Sequence, residues 1–139
     1  MVAAARSWIG TPFHHRARLK GVGVDCSGLI VGVCRELGLV AADFDTEPYT
    51  TTPDARMLRE GCARELTPID RGAMQPGDVV LLAITKDEQH LGILGDYRYG
   101  GLSIIHAANN VAPPRVIETR LMFSRSLRFC AAYSLPRIA

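Results

Sequence analysis

Cys26 lies in Asp25-Cys26-Ser27-Gly28, directly ahead of the apolar run Leu29-Ile30-Val31-Gly32-Val33. The pattern predicts a thiol on the first turn of a helix whose body is buried. Amide N–H groups at a helix N-terminus lack intrahelical acceptors and carry the positive end of the helix dipole. A thiolate is stabilised there, so the position predicts a lowered thiol pKa and a nucleophile usable near neutral pH. Such a nucleophile needs an imidazole to take its proton and return it to the leaving amine. It also needs a polar group that holds this imidazole in one tautomer. Of the four histidines, His90 and His106 fall on consecutive predicted strands whose connecting turn centres on Arg98. Positions equidistant from the turn face each other across a hairpin, so the two rings are expected as neighbours on one face. One can contact the thiol while the other orients it, which is the chemistry of a thiol hydrolase. Cys26, His90 and His106 could also serve as three zinc ligands. They lack a local chelating pair, however, and a coordinated thiol would not be free to attack, so no metal is expected.

The elements that must hold these residues follow from periodicity. A short helix over residues 2–9 ends at Gly10-Thr11-Pro12, and a basic, glycine-containing loop over 13–24 leads to Cys26. Leu29, Ile30, Val33, Cys34 and Leu37 make one buried helical face. Asp25 is the expected N-cap and Gly38 the C-terminal stop. Residues 41–53 look irregular, and a second helix runs from Pro53-Asp54 to about Glu65, followed by a connector over 67–77. After the turn signal Pro76-Gly77-Asp78 the pattern changes to strands. Val79–Ile84 is a continuous apolar run, expected to be buried on both faces. Lys86-Asp87-Glu88 forms a polar turn, followed by strands over His90–Leu94 and Leu102–Ala107. Val116–Thr119 and Phe129–Leu135 carry weaker strand patterns. Helices first and an antiparallel sheet afterwards is the order of an α+β domain.

The chain's 139 residues fit one domain, 1–139, and 47% apolar residues can build a core without disulfides. Sixteen basic residues against fourteen acidic ones give no total charge that favours nucleic acid. The distribution is uneven: residues 1–24 carry Arg6, Arg16, Arg18 and Lys20 with no acid, and 119–139 carry four arginines with no acid. Such flanks are either solvated surface or an attraction for carboxylate-bearing partners. Cys34, Cys62 and Cys130 show no metal-finger or C-x-x-C spacing and are expected as small core residues. The N-terminus lacks the pattern of a signal peptide, and no segment is apolar enough to cross a membrane. The expectation is a soluble protein made in the cytoplasm without its own export signal.

Several pieces then combine in order: Trp8-Ile9-Gly10-Thr11-Pro12-Phe13, Gly21-Val22-Gly23-Val24-Asp25-Cys26-Ser27-Gly28-Leu29, Gln75-Pro76-Gly77-Asp78-Val79-Val80, His90-Leu91-Gly92-Ile93-Leu94 and Ile105-His106-Ala107. Together they resemble the NlpC/p60 family of cell-wall cysteine peptidases, especially its branch found in phage tails and gene transfer agents. The resemblance implies a papain-like α+β fold, with N-terminal helices packed on an antiparallel sheet. It implies Cys26 as nucleophile, His90 as general base and then acid, His106 as the residue orienting His90, and no cofactor. The implied substrate is the peptide stem of peptidoglycan, cut between D-glutamate and diaminopimelate. Phe13 departs from the family pattern, which often has a tyrosine there whose hydroxyl helps bind near the attacked carbonyl. Phe13, Asp25 and Ser27 are the implied substrate-binding positions. The Cys26 amide is the natural first oxyanion donor; His14 and His15 are candidates for the lost hydroxyl, with at least one expected to be exposed.

A wall hydrolase without an export signal needs a carrier. The implied setting is a phage-like particle tail acting in the periplasm or cell wall, with other tail or baseplate proteins as partners and neither nucleic acid nor membrane bound directly. Two rivals remain at this stage. One is a structural tail-tip plug or assembly factor whose chemistry is secondary. The other is a thiol amidase or acyltransferase on lipid-linked substrates, disfavoured by the lack of an amphipathic membrane-binding stretch.

Overall fold

The computed structural model describes residues 1–45, 61–84 and 89–135. Helix α1 (Val2–Arg6) is followed by the two-residue strands β1 (Arg18–Leu19) and β2 (Gly23–Val24) and by helix α2 (Cys26–Glu36). Strands β3 (Thr67–Ile69), β4 (Val79–Ala83), β5 (Gln89–Asp96), β6 (Leu102–Ala108), β7 (Arg115–Arg120) and β8 (Arg128–Ser134) form one antiparallel sheet in the order β3-β8-β4-β5-β6-β7. The α+β arrangement expected from the sequence is the one observed. The final strand, β8, inserts between β3 and β4.

All five residues of β4 are buried, because each face of the sheet carries its own apolar layer. Val79 and Leu81 join Leu91, Ile93, Ile105 and the helix residues Leu29, Val33 and Cys34 in the main core. Val80 and Leu82 point the other way, packing with Leu94 and Ile104 against Phe123, Leu127 and Phe129. Helix α2 lies on β5 and β6. Its end matches the sequence expectation. Gly38 has φ +68, and the Leu39 and Gly38 amides donate back to Cys34 and Arg35 at 2.9 and 3.1 Å, the two bonds that close a helix around a left-handed glycine. Gly32 lets the helix approach Trp8: a Cβ there would stand 2.4 Å from two atoms of the indole ring.

Other expectations change. The opening helix ends at Arg6 rather than residue 9, because the chain beyond it runs alongside β7: Gly10 donates to Val116 and Phe13 to Pro114 at 3.0 and 2.9 Å. The basic loop over 13–24 contains the β1–β2 hairpin, and the connector over 67–77 contains β3 and a single 3-10 turn (Arg71–Ala73). These pieces are too short for periodicity to reveal. Residues 61–65 are helical and carry the buried Cys62; the remainder of the helix expected from Pro53 lies outside the described residues, as does the turn at Lys86-Asp87-Glu88. Cys34 is also in the core, whereas Cys130 is only partly buried against it.

A polar fastener holds the sheet to α1. The Arg6 guanidinium grips both carboxylate oxygens of Glu118 on β7 at 2.9 Å each and reaches Asp96 on β5 at 3.0 Å. Ser103, fully buried on β6, donates to Glu118 at 2.6 Å. Arg6 foremost, with help from Ser103, holds the Glu118 carboxyl below its usual range.

Candidate active site

The β5–β6 pairing runs from Asp96↔Leu102 to Ile93↔Ile105 and goes no further, so the hairpin centres on Tyr99 rather than Arg98. His90 and His106 are therefore diagonal rather than directly opposite. A shift of two residues keeps both side chains on the same face. The rings meet edge to face with centroids 4.9 Å apart, and His90 Nε2 stands 2.7 Å from His106 Nδ1. Gly92 lies on that face between them; a Cβ on it would collide with the Ile104 side chain at 2.5 Å. Opposite His106 on β7 stands Ile117, and opposite His90 on β4 stands Leu82, so both rings sit on regular backbone.

Where β5 and β6 cease to pair, the N-terminus of α2 arrives. The backbone amides of Leu91 and Ser27 lie close enough to the Cys26 sulfur to favour its thiolate form. The thiol thus lies against the peptide that follows His90. His90 has committed Nε2 to His106, and Nδ1 has no hydrogen-bond partner among the described residues.

Asp25 anchors this corner, as its expected role of N-cap requires. It is 3% exposed, and Oδ1 accepts from the Gly28 amide at 2.8 Å and from the Arg18 guanidinium at 2.8 Å. Oδ2 accepts from the Arg16 amide at 2.8 Å, with His15 Nδ1 at 3.9 Å. Ser27 Oγ lies 3.4 Å from Oδ1. One carboxylate therefore caps the helix headed by Cys26 and clamps the 14–18 loop against it. Gly28 is required by the same crowding: a Cβ would come within 2.5 Å of the Ala17 carbonyl and 2.7 Å of Arg18. Arg18 continues to Asp45 at 3.0 Å, and Asp45 lies 3.6 Å from Arg35 on α2.

The electrostatics correct one expectation. Position alone predicted a lowered thiol pKa, whereas the Cys26 thiol is pushed up to about 11. Burial is the largest cause and the adjacent Asp25 carboxylate the next; the Leu91 and Ser27 amides and Arg18 offset these only in part. Burial likewise lowers His90 to about 3, with His106 adding to the effect, and lowers His106 to about 4. At neutral pH the resting site holds a neutral thiol and two neutral imidazoles.

Of the remaining sequence candidates, Phe13 is half-buried beside the core and bridges to Val24 immediately before Asp25. His14 is exposed, as expected of at least one of the pair, and His15 is partly covered. Two features of the site leave no trace in residue order: Arg18, whose burial against Asp25 has no spacing signal, and the Leu91 amide, which depends on where two strands part. Among the described residues no three His, Cys, Asp or Glu side chains are arranged to hold a metal ion, and no helix is long and apolar enough to cross a membrane.

A cysteine at the head of a buried helix and a histidine pair on the facing sheet place the molecule among papain-like α+β proteins. The chain belongs to the NlpC/P60 family, whose sequence profile matches residues 10–128. It is similar in fold to a lipoprotein-like NLP/P60 protein of Staphylococcus aureus, with TM-score 0.64, 18% identity and 98% of this chain covered. The chain spans only 40% of that protein's length. It is also similar to the NlpC/p60 domain of the peptidoglycan hydrolase SagA, with TM-score 0.61 and 22% identity over 96% of this chain and 95% of that one. A Bacteroides fragilis protein described as a xylanase shares the fold at TM-score 0.53 and 10% identity, covering 97% of this chain and all of that one. No curated protein sequence gives a significant match.

Proposed function

We propose that this domain is a cysteine peptidase that hydrolyses amide bonds in peptidoglycan stem peptides, with Cys26 as nucleophile, His90 as proton carrier and His106 as its orienting partner. The observation that carries the proposal is the 2.7 Å contact between His90 Nε2 and His106 Nδ1, with the Cys26 sulfur close to the amide next to His90. Since both rings are neutral, that contact contains one proton. For His90 to act as a base it must donate from Nε2 to His106 Nδ1, which leaves its Nδ1 lone pair for the thiol proton. Transfer occurs as sulfur attacks the carbonyl, so the reaction starts from neutral partners rather than from a preformed thiolate. The protonated His90 then delivers its proton to the departing amine, and water, activated by the same nitrogen, cleaves the thioester. Family membership supports the chemistry, and the likeness to the SagA domain suggests the substrate.

Finer assignments belong to the same proposal: cleavage between D-glutamate and diaminopimelate, substrate binding by Phe13, Asp25 and Ser27, and delivery to the wall by a phage-like tail with other tail proteins as partners. Incubating purified sacculi with the wild type and with Cys26→Ala, followed by mass spectrometry of the released muropeptides, tests the reaction and the bond. Release of equal products by both proteins would refute it.

One observation favours the second reading, a structural tail component. Cys26 is only 8% exposed and its thiol pKa is raised, as for a cysteine that packs rather than reacts. Absence of any muropeptide release by the wild type, with normal incorporation into particles, would select that reading.

A further inference from the structure

Four basic residues precede Cys26, and three of them are spent on acids. Arg6 pairs with Glu118 and Asp96, Arg18 with Asp25 and Asp45, and Lys20 with Glu36 at 2.9 Å. Arg16 differs. Its side chain is exposed and makes no ion pair among the described residues. Its backbone is also unusual: φ is +64, the one left-handed conformation at a non-glycine residue among those described. A residue with a Cβ adopts that conformation uncommonly, and it persists where the surroundings enforce it. The enforcing contact is the bond from the Arg16 amide to Asp25 Oδ2 at 2.8 Å, the carboxylate whose other oxygen caps the helix headed by Cys26. Arg18 already balances the Asp25 charge, and the Arg16 amide is tied to the residue that precedes Cys26, so an exposed, unspent arginine stands on the loop bordering the thiol-bearing helix.

From this placement we infer that Arg16 is a specificity-determining residue that receives a carboxylate of the substrate beside Cys26. The inference rests on the peptidase reading and deepens it: the group bound is a carboxylate flanking the scissile amide, such as the free α-carboxylate of a γ-linked glutamyl residue. A planar guanidinium matches that group with two parallel hydrogen bonds.

The test compares a synthetic L-Ala-γ-D-Glu-diaminopimelate-D-Ala peptide with its counterpart carrying an α-carboxamide on the glutamyl residue. Wild-type enzyme is expected to prefer the free acid. Arg16→Asn suits the left-handed backbone while removing the charge, and should raise KM for the acid about tenfold and erase the preference. Arg16→Lys should restore part of it. An undiminished preference in Arg16→Asn would overturn the assignment. A second measurement separates this outcome from failure of the peptidase reading. The ratio of Cys26 alkylation rates by iodoacetate and iodoacetamide, read by peptide mass spectrometry, should fall severalfold in Arg16→Asn even if neither peptide is cut. An unchanged ratio would refute a carboxylate-binding Arg16 whatever the protein hydrolyses.

Discussion

His90 and His106 touch through Nε2 and Nδ1 at 2.7 Å although their strands stop pairing at Ile93↔Ile105. The side-chain contact continues the association after the backbone ladder has ended. The opening left by the ladder is where the Leu91 amide meets the Cys26 sulfur. In the proposed mechanism, orientation of His90 and access to it therefore come from the same parting of strands.

Replacing the nucleophile should silence the site without disturbing the fold. Cys26→Ala is expected to lower muropeptide release by at least about 10³-fold. Its circular dichroism and melting temperature should stay close to wild type, since the change removes one small atom. Retained hydrolysis would move the chemistry elsewhere.

The two histidines should separate kinetically. His90→Ala is expected to match Cys26→Ala, because the proton carrier is lost. His106→Ala should cost roughly 10- to 100-fold in kcat/KM, as for residues that orient a catalytic group rather than react. Equal losses in both variants would show that His106 does more than hold His90.

Alkylation should report the protonation state of the sulfur. With the thiol near 11, the rate of Cys26 modification by iodoacetamide should climb with pH from 7 to 10 without levelling. A plateau by pH 7 would mean a preformed thiolate stabilised by a charged imidazole. Peptide-resolved mass spectrometry distinguishes Cys26 from the partly exposed Cys130.

Acid should destabilise the fold through the buried rings. His90 and His106 fall from about 6.5 unfolded to about 3 and 4 folded, so between those values the unfolded chain binds more protons. Stability is full above pH 6.5 and drops as the pH falls toward 4, by about 2 kcal/mol per histidine at pH 5. Thermal melts of wild type and of the double variant His90→Gln/His106→Gln should diverge across that window. Parallel pH profiles would contradict the burial of the neutral rings.

Gly32→Ala pits two effects against each other. Alanine favours a helix by about 1 kcal/mol over glycine, yet its Cβ would sit 2.4 Å from the Trp8 ring. Overpacking of a filled core costs about 1–3 kcal/mol. A net loss of stability is expected in denaturant melts, accompanied by a change in Trp8 fluorescence.

The sequence made the chemistry legible where it depends on local spacing. Asp25 as cap, Cys26 on the first turn of α2, Gly38 as the stop and the continuous burial of β4 all follow from residue order. The association of His90 with His106 was also visible, because a strand period of two is insensitive to the two-residue register shift that separates a turn centred on Tyr99 from one centred on Arg98. Long-range facts were not. The clamp from Asp25 to Arg16 and Arg18 joins residues through the path of a loop, and the Arg6–Glu118 fastener spans most of the chain. The raised thiol pKa is hidden from the sequence for a related reason: helix position is local, whereas desolvation is set by everything packed around the sulfur.

One aspartate both terminates the helix headed by Cys26 and pins its neighbouring loop, so the two are tied through a single carboxylate. Lifting the 14–18 segment would unpick the helix start at the same moment. Under the proposed mechanism this couples selectivity to reactivity mechanically, so mutations that loosen one should blunt the other.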